Sequence, residues 1–426
     1  MNRSEFTLEQ WLSWMENNHP VAIDLGLARV QQVFTRLDLD FRQVCVITVA
    51  GTNGKGSTVS MLDAIYRQAG YKTACYTSPH LQIYNERVRL NGGLVSDQQL
   101  VSAFSAVDQA CGDISLTYFE MGTLAALWLI AEQQPDVAIL EVGLGGRLDA
   151  INVLDADVAV ITTIDIDHVD WLGDDREIIG REKAGIFRKG KPAVCGELNP
   201  PASIAEYARE LGCELRQVNQ SYEYHIKSER RWSWEGCDLQ GNIVSFSDLP
   251  LPQLPVQNAA TAIQAVLLSG LPCSPESMAA GLQTAYVAGR MEQVAYQGRL
   301  FILDVAHNPQ SAAYLADQLK QAEADGIVLI LGMLADKDCA SVMQSLATVV
   351  ASWHLVTLDV PRGQTAEQLS AYLPKVNQAS VMCHVSVDAA ISHLILADIP
   401  TSKKIVVAGS FYTVGDAYRV LKREVV

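Results

Sequence analysis

Val44-Cys45-Val46-Ile47-Thr48-Val49-Ala50, running straight into Gly51-Thr52-Asn53-Gly54-Lys55-Gly56-Ser57-Thr58, is the stretch whose reading decides the fold. Its first seven residues are almost all apolar or β-branched and do not alternate with polar ones, the composition of a strand buried on both faces. Glycines at 51, 54 and 56 then let the chain turn tightly with its amides inward, and the segment from Ser57 to Gly70 carries apolar residues at helical spacing. A Gly-rich turn from strand to helix gathers N–H groups and the positive end of the helix dipole at one point. Lys55 can reach the β- and γ-phosphates of a nucleotide from there. The pattern departs from the common loop G-x-x-x-x-G-K-[ST]: Val49 stands where the first Gly would fall, and Gly56 follows Lys55, so the hydroxyls come one step late. Spacing alone therefore does not make Ser57 a magnesium ligand, and another group is expected to hold the metal.

Outward from this loop, apolar strand runs at 72–78, 136–143 and 156–164 alternate with helical patterns such as 119–134, behind a short helix within 7–18. Such alternation predicts an α/β fold: an N-terminal P-loop ATPase-like domain with a mostly parallel sheet covered on both faces. Residues 215–250 read as a small antiparallel excursion, 249–257 with three prolines as a loop, and 258–270 as a helix. A second alternation, with strands in 299–306, 326–334, 353–360 and 403–410 and a closing helix in 416–426, predicts a smaller C-terminal Rossmann-like α/β domain. The expected division is 1–288 for the ATP-binding domain and 289–426 for the second, with the boundary in 285–290.

The 426 residues leave ample core for two domains, and 49% hydrophobic with 19% charged residues is an ordinary globular composition. A formal net charge of −16 argues against a nucleic-acid surface, which wants a basic face, while leaving small anions to local donors. Nine scattered cysteines without a C-x-x-C fit a reduced compartment rather than a disulfide framework or a zinc site. The first 20 residues hold no signal-like apolar core, and no apolar run is long enough to span a membrane. The expectation is a cytoplasmic protein with small-molecule partners, no nucleic acid and no membrane.

The loop variant G-T-N-G-K-G-S resembles that of the Mur ligase superfamily, which makes amide bonds through an acyl phosphate. The surrounding motifs are similar to folylpolyglutamate synthases, including those that also act as dihydrofolate synthases. They are T-S-P-H-L (77–81), N-E-R-V-R (85–89), L-T-Y-F-E (116–120), E-V-G-L-G-G-R-L-D-A (141–150), D-H (167–168), R-E-K-A-G-I-F (181–187), N-A-A-T-A (258–262), D-V-A-H-N-P (304–309) and A-G-S-F (408–411). Together they span nearly the whole chain.

The resemblance implies that Thr52, Asn53, Gly54, Lys55, Gly56, Ser57, Asn258, Arg290 and Asp304 contact ATP. It implies that Ser78, Glu141 and His168 hold magnesium, and that Lys183 is carbamylated and binds a second magnesium. Ala22, Ile23, Asp24 and Leu25, then Thr117, Tyr118, Phe119 and Glu120, and Leu148, Asp149 and Ala150 match dihydropteroate-binding segments. Lys55, Lys183 and His168 are the expected catalytic groups. Taken singly, several residues read otherwise. Lys183 is an exposed helix lysine, Tyr118 and Phe119 are core, Ser78 caps a turn, and Asp304 caps the following loop. Glu141 is the exception, because a carboxylate at the carboxyl end of a buried strand already stands where α/β sheets bind ligands. Ser410 and Lys337 are candidates for the glutamate subsite, and His307 shares the Asp304 loop.

The chemistry implied is transfer of the γ-phosphoryl group of ATP to a carboxylate, then attack by the amine of L-glutamate. Two Mg2+ ions serve it, with room for a monovalent cation, and the resemblance implies a monomer. The first reaction would convert dihydropteroate to dihydrofolate, and the second would extend reduced folates; a chain with the second activity alone is the alternative. Cell-wall Mur ligases carry a further N-terminal domain for which the residues ahead of 51 leave no room. A regulatory NTPase, the reading from another class, would hydrolyse ATP without regard to pteroate or glutamate.

Overall fold

The computed structural model describes residues 3–21, 23–321, 326–374, 380–397, 400 and 403–422. The run that opens with Val44 becomes strand β1 (Cys45–Ala50), and the helix Lys55–Gln68 begins inside the Gly-rich turn. Seven more strands join β1: β2 (Thr73–Tyr76), β3 (Val88–Leu90), β4 (Gly93–Leu94), β5 (Val137–Glu141), β6 (Val158–Ile161), β7 (Pro192–Cys195) and β8 (Glu214–Gln217). Their order is β4-β3-β2-β5-β1-β6-β7-β8, parallel from β2 to β8 and antiparallel at the β3 and β4 edge. The central strands are buried along nearly their whole length, as their unbroken apolar runs require. On one face Val46, Ala50, Leu140 and Ile161 join a core with Trp11, Phe104 and the helix Tyr118–Gln133.

Strand β1 separates β5 from β6, so the chain changes direction across the sheet at the phosphate loop. Register places Val49 beside Glu141 and Ala50 beside Ile161. Gly51, Val142 and Thr162 therefore leave the sheet at one level, the position at which open α/β sheets bind ligands.

The excursion at 215–250 is a three-stranded antiparallel sheet of β9 (Glu223–Ser228), β10 (Arg231–Cys237) and β11 (Ile243–Pro250). Trp234 is fully buried, with Nε1 donating to the Ala260 carbonyl at 3.1 Å. The loop expected over 249–257 is shorter than the prolines suggested. Pro250 closes an edge strand, where a missing N–H costs no pairing, and the helix Val256–Leu268 starts directly after Pro255.

The second sheet has the order β12-β13-β17-β14-β15-β16, with β12 (Glu292–Tyr296), β13 (Arg299–Leu303), β14 (Ile327–Leu331), β15 (Val350–Val356), β16 (Ser380–His384) and β17 (Ile405–Ala408). It is parallel except for the β12–β13 hairpin. The closing helix begins earlier than expected, at Phe411, because Ser410 caps it by accepting from the Thr413 amide at 3.0 Å.

The chain forms two compact units, Met1–His80 with Tyr84–Tyr286 and Leu81–Ile83 with Val287–Val426. Leu81 packs against the apolar cluster of the second unit, around Val305, Val414 and Tyr418. Its carbonyl oxygen stands 2.7 Å from where a Cβ on Gly415 would sit.

Candidate active site

The phosphate loop is held from β6. Thr162 Oγ1 and Thr163 Oγ1 donate to the Asn53 carbonyl at 2.6 and 3.1 Å, and the Thr52 amide donates to the Thr163 carbonyl at 2.8 Å. Thr52 Oγ1 donates to the Asp165 carbonyl at 3.1 Å and accepts from the Asp165 amide. Gly54 has φ +85°, and a Cβ there would meet the Asn258 side-chain amide at 2.7 Å, so both backbone and space require glycine. The buried Asn258, expected to contact ATP, is thus pressed against the loop. Lys55 Nζ folds back onto the Gly51 and Thr52 carbonyls at 2.9 and 3.2 Å. Gly56 and the buried Ser57 lie in the first helical turn.

Glu141, 5% exposed, ends β5 beside this turn, and a Cβ on Gly56 would lie 3.8 Å from its Oε2. The Ser78 amide donates to the same Oε2 at 3.4 Å, and the Ser78–Pro79 peptide is cis. His168 is exposed, adopts φ +54° and begins a single helical turn at Val169–Leu172. Among the described residues no group of three or more His, Cys, Asp or Glu side chains forms a ready metal cage. A buried carboxylate beside the Gly-rich turn fits a divalent ion all the same, since such an ion can keep phosphate and water oxygens in its shell.

Lys183, which alone reads as an exposed helix lysine, is buried at 4% exposure. The loop after β5 covers it: the Arg147 amide donates to the Glu182 carbonyl at 2.9 Å. Burial, then the ammonium of Lys55, push its amine down to about 7, against the pull of Asp167, Glu182 and Asp149. Asp149 is also buried. Its oxygens accept from the Leu144 amide at 2.8 Å and the Ile151 amide at 3.0 Å, and it caps the short turn Ala150–Val153. Burial lifts its carboxyl to about 6 despite those amides and Lys55.

The segments matched to dihydropteroate converge. Glu120 closes a capping box, accepting from the Thr117 amide at 2.8 Å while Thr117 Oγ1 accepts from the Glu120 amide. Arg29, which no motif had flagged, donates to Glu120 Oε2 at 2.9 Å and also binds the Asp24 carboxylate and carbonyl. Asp24 keeps 40% of its side chain exposed, and Ile23, Leu25 and Leu148 are half-buried. Tyr118 and Phe119 are half-buried rather than core, and the Phe119 ring lies 6.3 Å from that of Tyr76. Ala150 is buried, and Ala22 lies outside the described residues.

In the second unit the turn before β12 presents Arg290, whose guanidinium lies 5.4 Å from the centre of the Phe411 ring. Asp304 spends both oxygens on backbone, accepting from the Met291 amide at 2.9 Å and the Ala306 amide at 2.9 Å. It thereby acts as the loop cap that its position alone suggests, and it fixes the turn that carries Arg290. His307 Nδ1 lies 2.8 Å from the Val305 carbonyl. Ser410 is buried as a helix cap, and the Lys337 ammonium sits 3.9 Å from Asp336.

Comparison with known proteins gives the same outline. The Mur ligase middle domain matches residues 49–240, and the Mur ligase glutamate ligase domain matches 289–411. A dihydrofolate synthase/folylpolyglutamate synthase of Escherichia coli K12 is 46% identical over 415 residues, covering 97% of this chain and 95% of that one. The solved structure of E. coli FolC in complex with DHPP and ADP superposes with a TM-score of 0.93 at 44% identity, covering 99% of each chain. A bifunctional folylpolyglutamate synthase/dihydrofolate synthase with Mn, AMPPNP and L-glutamate bound gives 0.89 at 44% identity, covering 98% of this chain and 99% of the other.

Proposed function

The chain belongs to the dihydrofolate synthase/folylpolyglutamate synthase family of Mur ligases, and on that premise we propose that it ligates L-glutamate first to dihydropteroate and then to reduced folates, at the expense of ATP. The observation that supports this most directly is the shared edge of β1, β5 and β6. There the phosphate loop, Glu141 and the covered Lys183 meet, in the same unit as the Asp24–Arg29–Glu120 cluster.

A carboxylate reacts poorly with an amine because its leaving group is poor. Transfer of the γ-phosphoryl group makes an acyl phosphate and ADP, and the glutamate amine then displaces phosphate through a tetrahedral intermediate. The loop amides at 52–57 hold the nucleotide phosphates at the helix N-terminus, and Lys55 swings from its own loop carbonyls onto them. Arg290 offers a bidentate contact to phosphate oxygens. Asn258 braces Gly54 from behind. Asp304 retains lone pairs for ribose hydroxyls beyond its two backbone bonds. Asp24, Phe119 and Asp149 orient the pterin.

Ser78, Glu141 and His168 would hold one Mg2+, and Lys183, once carbamylated, a second, with a monovalent cation as a further component. Bound divalent ions supply neutralisation between the two anions that must meet. An amine lowered to about 7 is uncharged in roughly half of the molecules in neutral solution, and the uncharged amine is the form that combines with carbon dioxide. Among the described residues no helix is long and apolar enough to cross a membrane. We place the enzyme in the cytoplasm as a monomer acting on small molecules.

The test is ADP release with magnesium and L-glutamate, with dihydropteroate in one cuvette and tetrahydrofolate in another. Release with both is expected. Release with tetrahydrofolate alone reduces the enzyme to a folylpolyglutamate synthase, and release independent of either returns it to the regulatory class.

A further inference from the structure

Arg87, in the motif N-E-R-V-R, is 8% exposed. Among the described residues no carboxylate pairs with it; the phenols of Tyr84, Tyr76 and Tyr118 surround its charge, and that of Tyr76 is hydrogen-bonded to it. Its Nε donates to His80 Nδ1 at 2.9 Å, which requires that nitrogen to be unprotonated. Its guanidinium carbon lies 5.1 Å from the centre of the Tyr84 ring and 5.7 Å from that of Tyr118. Each of these partners is neutral. Ring faces and single acceptors return only part of the hydration a guanidinium loses on burial, so an unpaired buried charge is retained only where something else answers it. A structural arginine of this kind would ordinarily sit beside an acid.

The position of Arg87 says what answers it. Tyr118, under one face of the guanidinium, opens the helix that carries Phe119 and Glu120. His80, at its Nε, lies two residues beyond Ser78, whose amide reaches Glu141. Arg87 thus touches the aromatic segment on one side and the chain leading to the phosphate edge on the other. The acceptor's carboxylate has to lie between its own pterin end and the γ-phosphate. We propose that Arg87 binds the reacting carboxylate of the pteroate or folate acceptor, an inference that rests on the function proposed above. The neutral cage keeps the guanidinium's remaining N–H groups for an incoming anion, and the fork matches a carboxylate in two-point contact. The contact outlasts phosphorylation, because the acyl phosphate is also anionic.

The test separates charge recognition from fold maintenance. Full-length protein and Arg87→Gln are titrated with dihydropteroate, with its neutral carboxamide and with ADP, by intrinsic tryptophan fluorescence. The unsubstituted protein should prefer the carboxylate by about tenfold or more, as a charge-assisted contact implies. In Arg87→Gln that preference should fall to near unity while ADP affinity holds. A merely structural arginine would weaken acid and amide alike and leave the preference intact, which overturns the proposal. Should Arg87→Gln not fold, Arg87→Lys keeps the charge without the fork, and its preference should drop several-fold; an undiminished preference there also overturns it. Unsubstituted protein that binds acid and amide equally overturns this inference alone. Protein that binds neither overturns the proposed function and the inference with it.

Discussion

A Cβ on Gly143 would stand 2.4 Å from Phe119 Cζ, so the ring's place depends on a residue with no side chain. Gly143→Ala should raise KM for dihydropteroate roughly tenfold, the size of a typical overpacking penalty, and leave KM for ATP unchanged; steady-state kinetics with each substrate varied would show a parallel rise if Phe119 is irrelevant. Lys55→Ala should abolish turnover with only a modest change in melting temperature, because the bonds it removes run to carbonyls of its own loop; normal ligation would refute the phosphate-loop assignment. At this scale the sequence was legible where a motif fixes its own local geometry: 51–57 makes the strand-to-helix turn, and Glu141 ends β5. It was not legible where burial is imposed from elsewhere. Lys183 looks exposed in its helix because the covering loop lies some 35 residues upstream, near Arg147. Arg29 bridges Asp24 and Glu120 across 91 residues of chain. Asp149, Asp304 and Ser410 read as ligand contacts, yet their oxygens are first engaged by backbone N–H groups.

Two elements carry predictions of their own. Thr117 begins the helix Tyr118–Gln133, and its hydroxyl and Glu120 exchange bonds with each other's amides. Thr117→Ala should cost about 1 kcal/mol of stability, as loss of an N-cap does, and loosen Tyr118 and Glu120 together; chemical denaturation gives the first effect and dihydropteroate affinity the second. On β15, His354 is buried against His384, with 2.9 Å between Nδ1 and Nε2, and lies close to His393. Burial, then the charges of His384 and His393, lower it from 6.5 to about 4. The unfolded chain accepts a proton that the folded one refuses, so stability is lost as pH falls from 6.5 towards 4. His354→Gln should flatten that acid limb of melting temperature against pH, and an unchanged slope would exclude the histidine as its source. The long apolar strands were readable because a two-sided parallel sheet demands them. Short edge pieces such as β8 and β12 were not, since an exposed edge asks little of its residues.

At the scale of the molecule, a net charge of −16 repels copies of the chain, and the species in solution should sediment with the mass of one chain; a dimer at micromolar concentration would refute the monomer. The order of the two α/β halves was visible because each repeats the strand–helix alternation that builds it. That Leu81–Ile83 belongs with the second half was not, since three residues carry no periodicity and their allegiance is set by the cluster they enter. That tripeptide bears on how such enzymes can be recombined. A crossover near residue 286 would import a relative's entire second half except for these three positions. The newcomer's apolar cluster would then receive a foreign Leu81, against a glycine at 415 that leaves its carbonyl no slack. Gene shuffling would therefore favour exchanges that carry residues 81–83 along, and the two halves would be inherited as linked partners rather than as separable modules.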